Sequence, residues 1–190
     1  MDKIGNALNR RSFLITGMAT TGLAACGNGV NSNGAAKIDA RVDQAFNFLY
    51  ANVAGSRDLA GKAVGVLMMP VISKVGLFGP GGSYGRGALR INDVSVDYYS
   101  ATSATFGFQL GAQQYSSALF FMTEAALNDF RRSPGWTLGA DAEYAVSNEG
   151  GNLGVDTTTA LTPVIAVVFG QAGLIAGATI EGSKYNRIIP

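Results

Sequence analysis

The sequence predicts an α+β fold: a mainly antiparallel curved sheet, barrel- or sandwich-like, with one long N-terminal helix and one short helix. Three observations predict it. Between Lys37 and Gly55, apolar residues recur at helical spacing. After Gly61 the pattern changes to apolar runs and strict alternation, the period of strands. These strand-like segments follow one another with turn residues between them, which favours antiparallel neighbours.

The long helix is read from Ile38, Val42, Ala45, Phe46, Leu49 and Val53, which share one face. Asp39 and Asp43 lie early, where the helix dipole favours acids, and Gly55 is placed to end it. The stripe is expected to pack on the core. Its polar side holds Lys37, Asp39, Arg41 and Asp43, so it lacks the basic bias of a membrane-surface helix. Ala63 to Met69 is an apolar run and the first strand. Ser83 to Ile91 is the second, after a glycine-rich turn. Val94, Val96 and Tyr98 alternate with Ser95, Asp97 and Tyr99. Phe106, Phe108, Leu110 and Ala112 alternate with Gly107, Gln109 and Gly111. Thr123 to Arg132 reads as the short helix, capped by Thr123 and stopped before Pro134. Leu138 to Val146 alternates again. Val164–Phe169 and Leu174–Ile180 form a hairpin turning near Gly170 to Gly173. A rival reading makes Leu161 to Ile180 a membrane-crossing helix. Its Pro163, Gly170, Gly173 and Gly177, with its β-branched residues, favour strands. Gly61/Gly65 and Gly107/Gly111, four apart, are read as bare strips on strand faces where a ring or a neighbouring backbone approaches.

Composition narrows the function classes. The chain has 190 residues, 47% hydrophobic and 14% charged, enough for one domain with a core. Glycine stands at 26, roughly twice average usage. The formal charge of +1 becomes about −1 once the first 25 residues, with Lys3, Arg10, Arg11 and Asp2, are set aside. A near-neutral body argues against nucleic acid as a partner. No histidine is present, which removes the commonest general base and metal ligand.

The first residues read as an address. Asn9-Arg10-Arg11-Ser12-Phe13-Leu14-Ile15 matches a twin-arginine export pattern, and the apolar run to Ala25 is too short to span a bilayer. Leu23-Ala24-Ala25-Cys26 resembles a bacterial lipobox. Cys26, the single cysteine, has no disulfide partner and no histidine to activate it. Lipidation accounts for it, and covalent acyl chains there hold a protein on a membrane. Gly27 in place of aspartate favours the periplasmic face of the outer membrane. The organisation expected is therefore a signal peptide over 1–25, a lipidated Cys26 and flexible tether over 26–36, and a domain over 37–190.

No catalytic set assembles. Gly79-Pro80-Gly81-Gly82-Ser83-Tyr84-Gly85-Arg86-Gly87 misses the spacing of a phosphate loop. It reads as a flexible turn, with a second reading in which its amides, Arg86 and Lys74 meet an anionic headgroup. Asp141 and Glu143 lie on one strand face and do not flank a substrate. Arg131 and Arg132 serve the end of the short helix or touch a lipid phosphate. Trp136, Tyr98 and Tyr99 pack in the core or form an interfacial belt. A non-enzyme without metal or cofactor is expected.

Five stretches in order then carry a resemblance: Ala63-Val64-Gly65-Val66 with Pro70; Gly81 to Gly87; Phe106 to Gly111; Leu138 to Ala142; and Gly173 to Gly177 with Glu181-Gly182-Ser183. From about Leu59 to Arg187 the chain resembles the SYLF-domain family, found in bacterial lipoproteins and, fused to other modules, in eukaryotic proteins that bind phosphoinositides or actin. The resemblance implies binding of membrane phospholipids without catalysis. Unlike eukaryotic members, this chain carries a lipobox and no SH3 or FYVE module. The expected contact is a basic, glycine-rich rim of Lys74, Arg86 and Arg90 with Gly81 and Gly82, and with Arg131 and Arg132. Two alternatives remain open: an envelope scaffold binding a protein partner, and a lipid carrier with an interior pocket lined by Phe106, Phe108, Leu174 and Met69.

Overall fold

The computed structural model describes residues 32–76, 79–107, 111–139, 144–147, 162–170 and 182–190. Cys26, the export pattern, Phe108, Asp141, Glu143 and Leu174 lie outside these residues. Helix α1 spans Gly34–Asn52 and α2 Ser56–Lys62. Strands β1 (Gly65–Gly76), β2 (Gly79–Ile91), β3 (Val94–Gly107) and β4 (Gly111–Phe121) follow. Then come α3 (Glu124–Arg132), β5 (Trp136–Thr137), β6 (Tyr144–Ser147), β7 (Val164–Phe169) and β8 (Lys184–Ile188).

All eight strands join one sheet in the order β5-β8-β3-β2-β1-β4-β7-β6. Every neighbouring pair is antiparallel except β6 and β7. The sheet curls into a half-barrel. Trp136 on β5 and Phe121 on β4 stand five strands apart in that order, about 24 Å in a flat sheet. Their rings are 6.4 Å apart. The α+β fold read from the sequence holds, with a third helix, α2, that the sequence reading left out.

Both faces of the sheet are buried in their lower halves. The outer face, Val66, Met68, Ala88, Ala118, Phe120, Ile165 and Val167, lies under α1 and Leu59 of α2. The α1 stripe is buried at all six predicted positions. Asp39 and Asp43 fall past the first turn and reach across instead: Ser95 Oγ and Tyr98 Oη donate to Asp39 at 2.7 and 2.8 Å, and Arg90 donates to Asp43 at 2.6 Å. Gly55, at φ 80°, turns the chain from α1 into α2. The inner face closes around α3, where Phe130 packs on Tyr99, Phe121, Trp136 and Tyr185 with ring centroids 4.6–6.2 Å apart. Thr123 caps α3, its Oγ1 accepting from Ala126 N at 3.2 Å. Trp136 and Tyr99 are core residues, so they form no interfacial belt.

Three sequence expectations change. Gly79–Gly87 is not a turn but the first part of β2, paired with β3 throughout and with β1 from Gly81 to Arg86. Alternation from Thr105 to Gln113 is broken, because β3 ends at Gly107 and β4 begins at Gly111. Gly61 sits in α2, so it shares no strand face with Gly65. Val164–Phe169 is a strand as read, and among the described residues no helix is long and apolar enough to cross a membrane.

Candidate functional site

Pro70 has no N–H to give the ladder, and β1 bulges there. Its register shifts between Met68 and Val71 against β2, and between Met69 and Ile72 against β4. Ser116 Oγ donates to the Pro70 carbonyl at 2.7 Å. The glycines of β2 make room for the bulge. A Cβ on Gly85 would stand 2.8 Å from the Val71 carbonyl oxygen, and one on Gly87 would overlap the Met68 carbonyl.

Beyond the bulge α1 no longer covers the outer face. Val71, Val75 and Tyr84 are 36%, 52% and 52% exposed. Cross-strand pairing sets Val71 beside Arg86, Ser73 beside Tyr84 and Val75 beside Gly82. The flank of α1, with Arg41, Gln44, Ala45 and Phe48, forms a wall over this uncovered face. Pro70, Val71, Ser73, Gln114 and Ser116 form the floor, and Phe169 and Gly170 the end, of a groove of about 750 Å³. Phe48 stacks on Phe169 at 6.2 Å and 12°. Gln114 Nε2 donates to Ser73 Oγ at 3.3 Å.

The groove thus joins apolar walls, a few hydroxyl and amide groups, and an exposed guanidinium, Arg41, at its rim. No acid lines it. Among the described residues no group of three His, Cys, Asp or Glu side chains is placed to hold a metal. The arrangement can bind an elongated, partly apolar, anionic molecule. Perturbed ionisation lies elsewhere. Burial, then the hydrogen bond to Asp39, pushes Tyr98 up to about 12. Burial, then the Asp97 charge, pushes Tyr99 up to about 12.

The residues expected to form one basic rim are dispersed. Arg86 is on the outer face beside Val71, which lines the groove. Lys74 pairs with Ser83 and Gln113 and so sits on the opposite, inner face. The Arg90 side chain is 15% exposed, bound to Asp43 and 5.4 Å over the Phe46 ring. It ties α1 to β2. Gly81 and Gly82 are interior positions of β2 between β1 and β3, where ladder pairing occupies the amides an anion would need. Arg131 donates to Asp97 Oδ2 at 2.9 Å, and Arg132 is exposed at the end of α3. Met69 is fully buried and packed in the inner core. Arg41, Gln44, Phe48, Val71 and Gln114 escaped the sequence reading. Their only trace was a second flank on α1, with Arg41, Gln44 and Phe48 spaced three and four apart.

The comparison with curated proteins finds no match. Residues 102–187, from within β3 to within β8, match the family model Ysc84, described as Las17-binding protein actin regulator. It is over these residues that the chain is similar to the SYLF-domain family, in agreement with the resemblance its sequence shows.

Proposed function

We propose that this protein is a non-catalytic lipoprotein module that binds membrane phospholipid through the α1–sheet groove, held on the periplasmic face of the outer membrane by acyl chains on Cys26. The groove is the observation that carries the reading. Phe48, Val71 and Phe169 suit an acyl chain, while Arg41 at the rim and Arg86 beside Val71 suit a headgroup phosphate. The family match supports a lipid-binding or actin-regulator-like module at most, and the absence of histidine from the sequence supports a non-enzyme.

Co-sedimentation of the full chain carrying Cys26→Ala tests it, with neutral and anionic vesicles at low and high salt. An exposed cation contributes about 1 kcal/mol near an anionic surface. Arg41→Ala should weaken binding to anionic vesicles about fivefold, and Arg86→Ala, at a half-buried position, by less; both effects shrink at high salt. Binding that ignores anionic lipid, salt and both substitutions refutes the site. Loss of all vesicle binding with Cys26→Ala leaves the acyl chains as the sole contact and turns the groove toward a protein partner.

A further inference from the structure

Among the described residues the large exposed apolar side chains fall into two groups: Val71, Val75 and Tyr84 on the outer face beyond the bulge, and Val94, Val96 and Ile189 elsewhere. The second group sits at one end of the fold. Asn92 and Asp93, with φ of 50° and 63°, make a tight two-residue turn between β2 and β3. Val94 follows it at 63% exposure and Val96 at 39%. Ile188 pairs with Tyr98, so Ile189, 71% exposed, leaves β8 toward the Val96 end of β3.

The N-terminal segment enters the fold at this same end. Ser32 Oγ donates to the Pro190 carbonyl at 3.0 Å, and Gly34, the first residue of α1, lies against Pro190. Cys26 precedes Ser32 by six residues, a covalent reach of at most about 20 Å. A lipid-anchored Cys26 therefore keeps this end near the bilayer. The groove is farther off. Its Val71 pairs with Arg86, which precedes Asn92 by six positions, about 20 Å along the strand.

We propose that the β2–β3 hairpin end, with Val94, Val96 and Ile189, docks on the lipid surface beside the anchor, setting the orientation of the domain. The proposal rests on lipidation of Cys26 in the reading above. Asp93 at the turn offers nothing to anionic headgroups, so the contact rests on the apolar side chains.

Fluorescence quenching in vesicles of brominated phosphatidylcholine tests it, with the full chain purified from bacterial membranes and its mass measured for acylation. Trp136, the single tryptophan and 2% exposed, gives the constant background. Val94→Trp should lose most of its added emission, and Ala104→Trp, exposed at the far end of β3 and outside the groove lining, should keep its own. Val96→Trp serves if the first variant misfolds. Quenching at 104 but not at 94 overturns the proposal. Quenching at neither, with the chain acylated and bound, overturns the docking and leaves the anchor standing. A chain without acyl mass that stays off the vesicles overturns both the anchor and the docking that rests on it.

Discussion

Removing the two arginines that meet on Asp97 should cost more than removing Asp97 itself. The Asp97 carboxylate is 1% exposed, whereas the Arg131 and Arg187 side chains are 38% and 62% exposed. Arg131 reaches one carboxylate oxygen from α3 and Arg187 the other from β8. Asp97→Asn keeps the shape and lets both guanidiniums turn to water, a loss of about 1–2 kcal/mol. Arg131→Ala or Arg187→Ala alone leaves one cation on the carboxylate and should also cost about 1–2 kcal/mol. The double variant strands a buried charge, which costs about 3–5 kcal/mol. Urea unfolding at neutral pH reads all four as shifts in midpoint at constant slope. The coupling between the two arginines should be about 1 kcal/mol more destabilising than additivity. An Asp97→Asn variant less stable than the double arginine variant would refute the reasoning, as would a double variant no worse than one single.

Gly87→Ala should destabilise by about 3 kcal/mol or more in the same assay, because its Cβ would overlap the Met68 carbonyl and press on Met69 Sδ; a loss under about 1 kcal/mol would show that the bulge yields. Ultraviolet titration should leave Tyr98 and Tyr99 un-ionised until about pH 12. Their raised values favour the folded state fully below pH 10, the ordinary tyrosine value, and that contribution drains away between pH 10 and about 12. Complete tyrosine ionisation near pH 10 with the fold intact would contradict it.

Local signals in the sequence were reliable where local physics decides. The α1 stripe and the Thr123 cap need only residues within a few positions of each other. Glycine misled because it has two uses. Gly79 to Gly87 has the composition of a turn, yet Gly85 and Gly87 serve a bulge on another strand, a relation that no window of β2 contains. Phenylalanine–glycine alternation around 106–111 continued through the end of β3 because β4, which begins at Gly111, has the same strand period although it pairs elsewhere in the sheet. Cations misled for a related reason. Lys74 and Arg86 looked like neighbours, but one faces inward and the other outward. Arg90 and Arg131 were already bound to Asp43 and Asp97. The groove needed α1 laid across the sheet before Arg41 and Val71 became one surface.

The bulge at Pro70 also divides each central strand by its stability. Leu67 and Met68 carry no exposed area, while Val71 and Val75 on the same strand meet solvent. Amides below the bulge are held by two packed layers and exchange only when the whole domain opens. Those above it are backed by one layer, with Ile72 and Tyr115 on the inner face, and exchange through a smaller, separate opening. One continuous strand then belongs to two cooperative units, and a ligand seated in the groove would rigidify the weaker one without altering the global unfolding of the stronger.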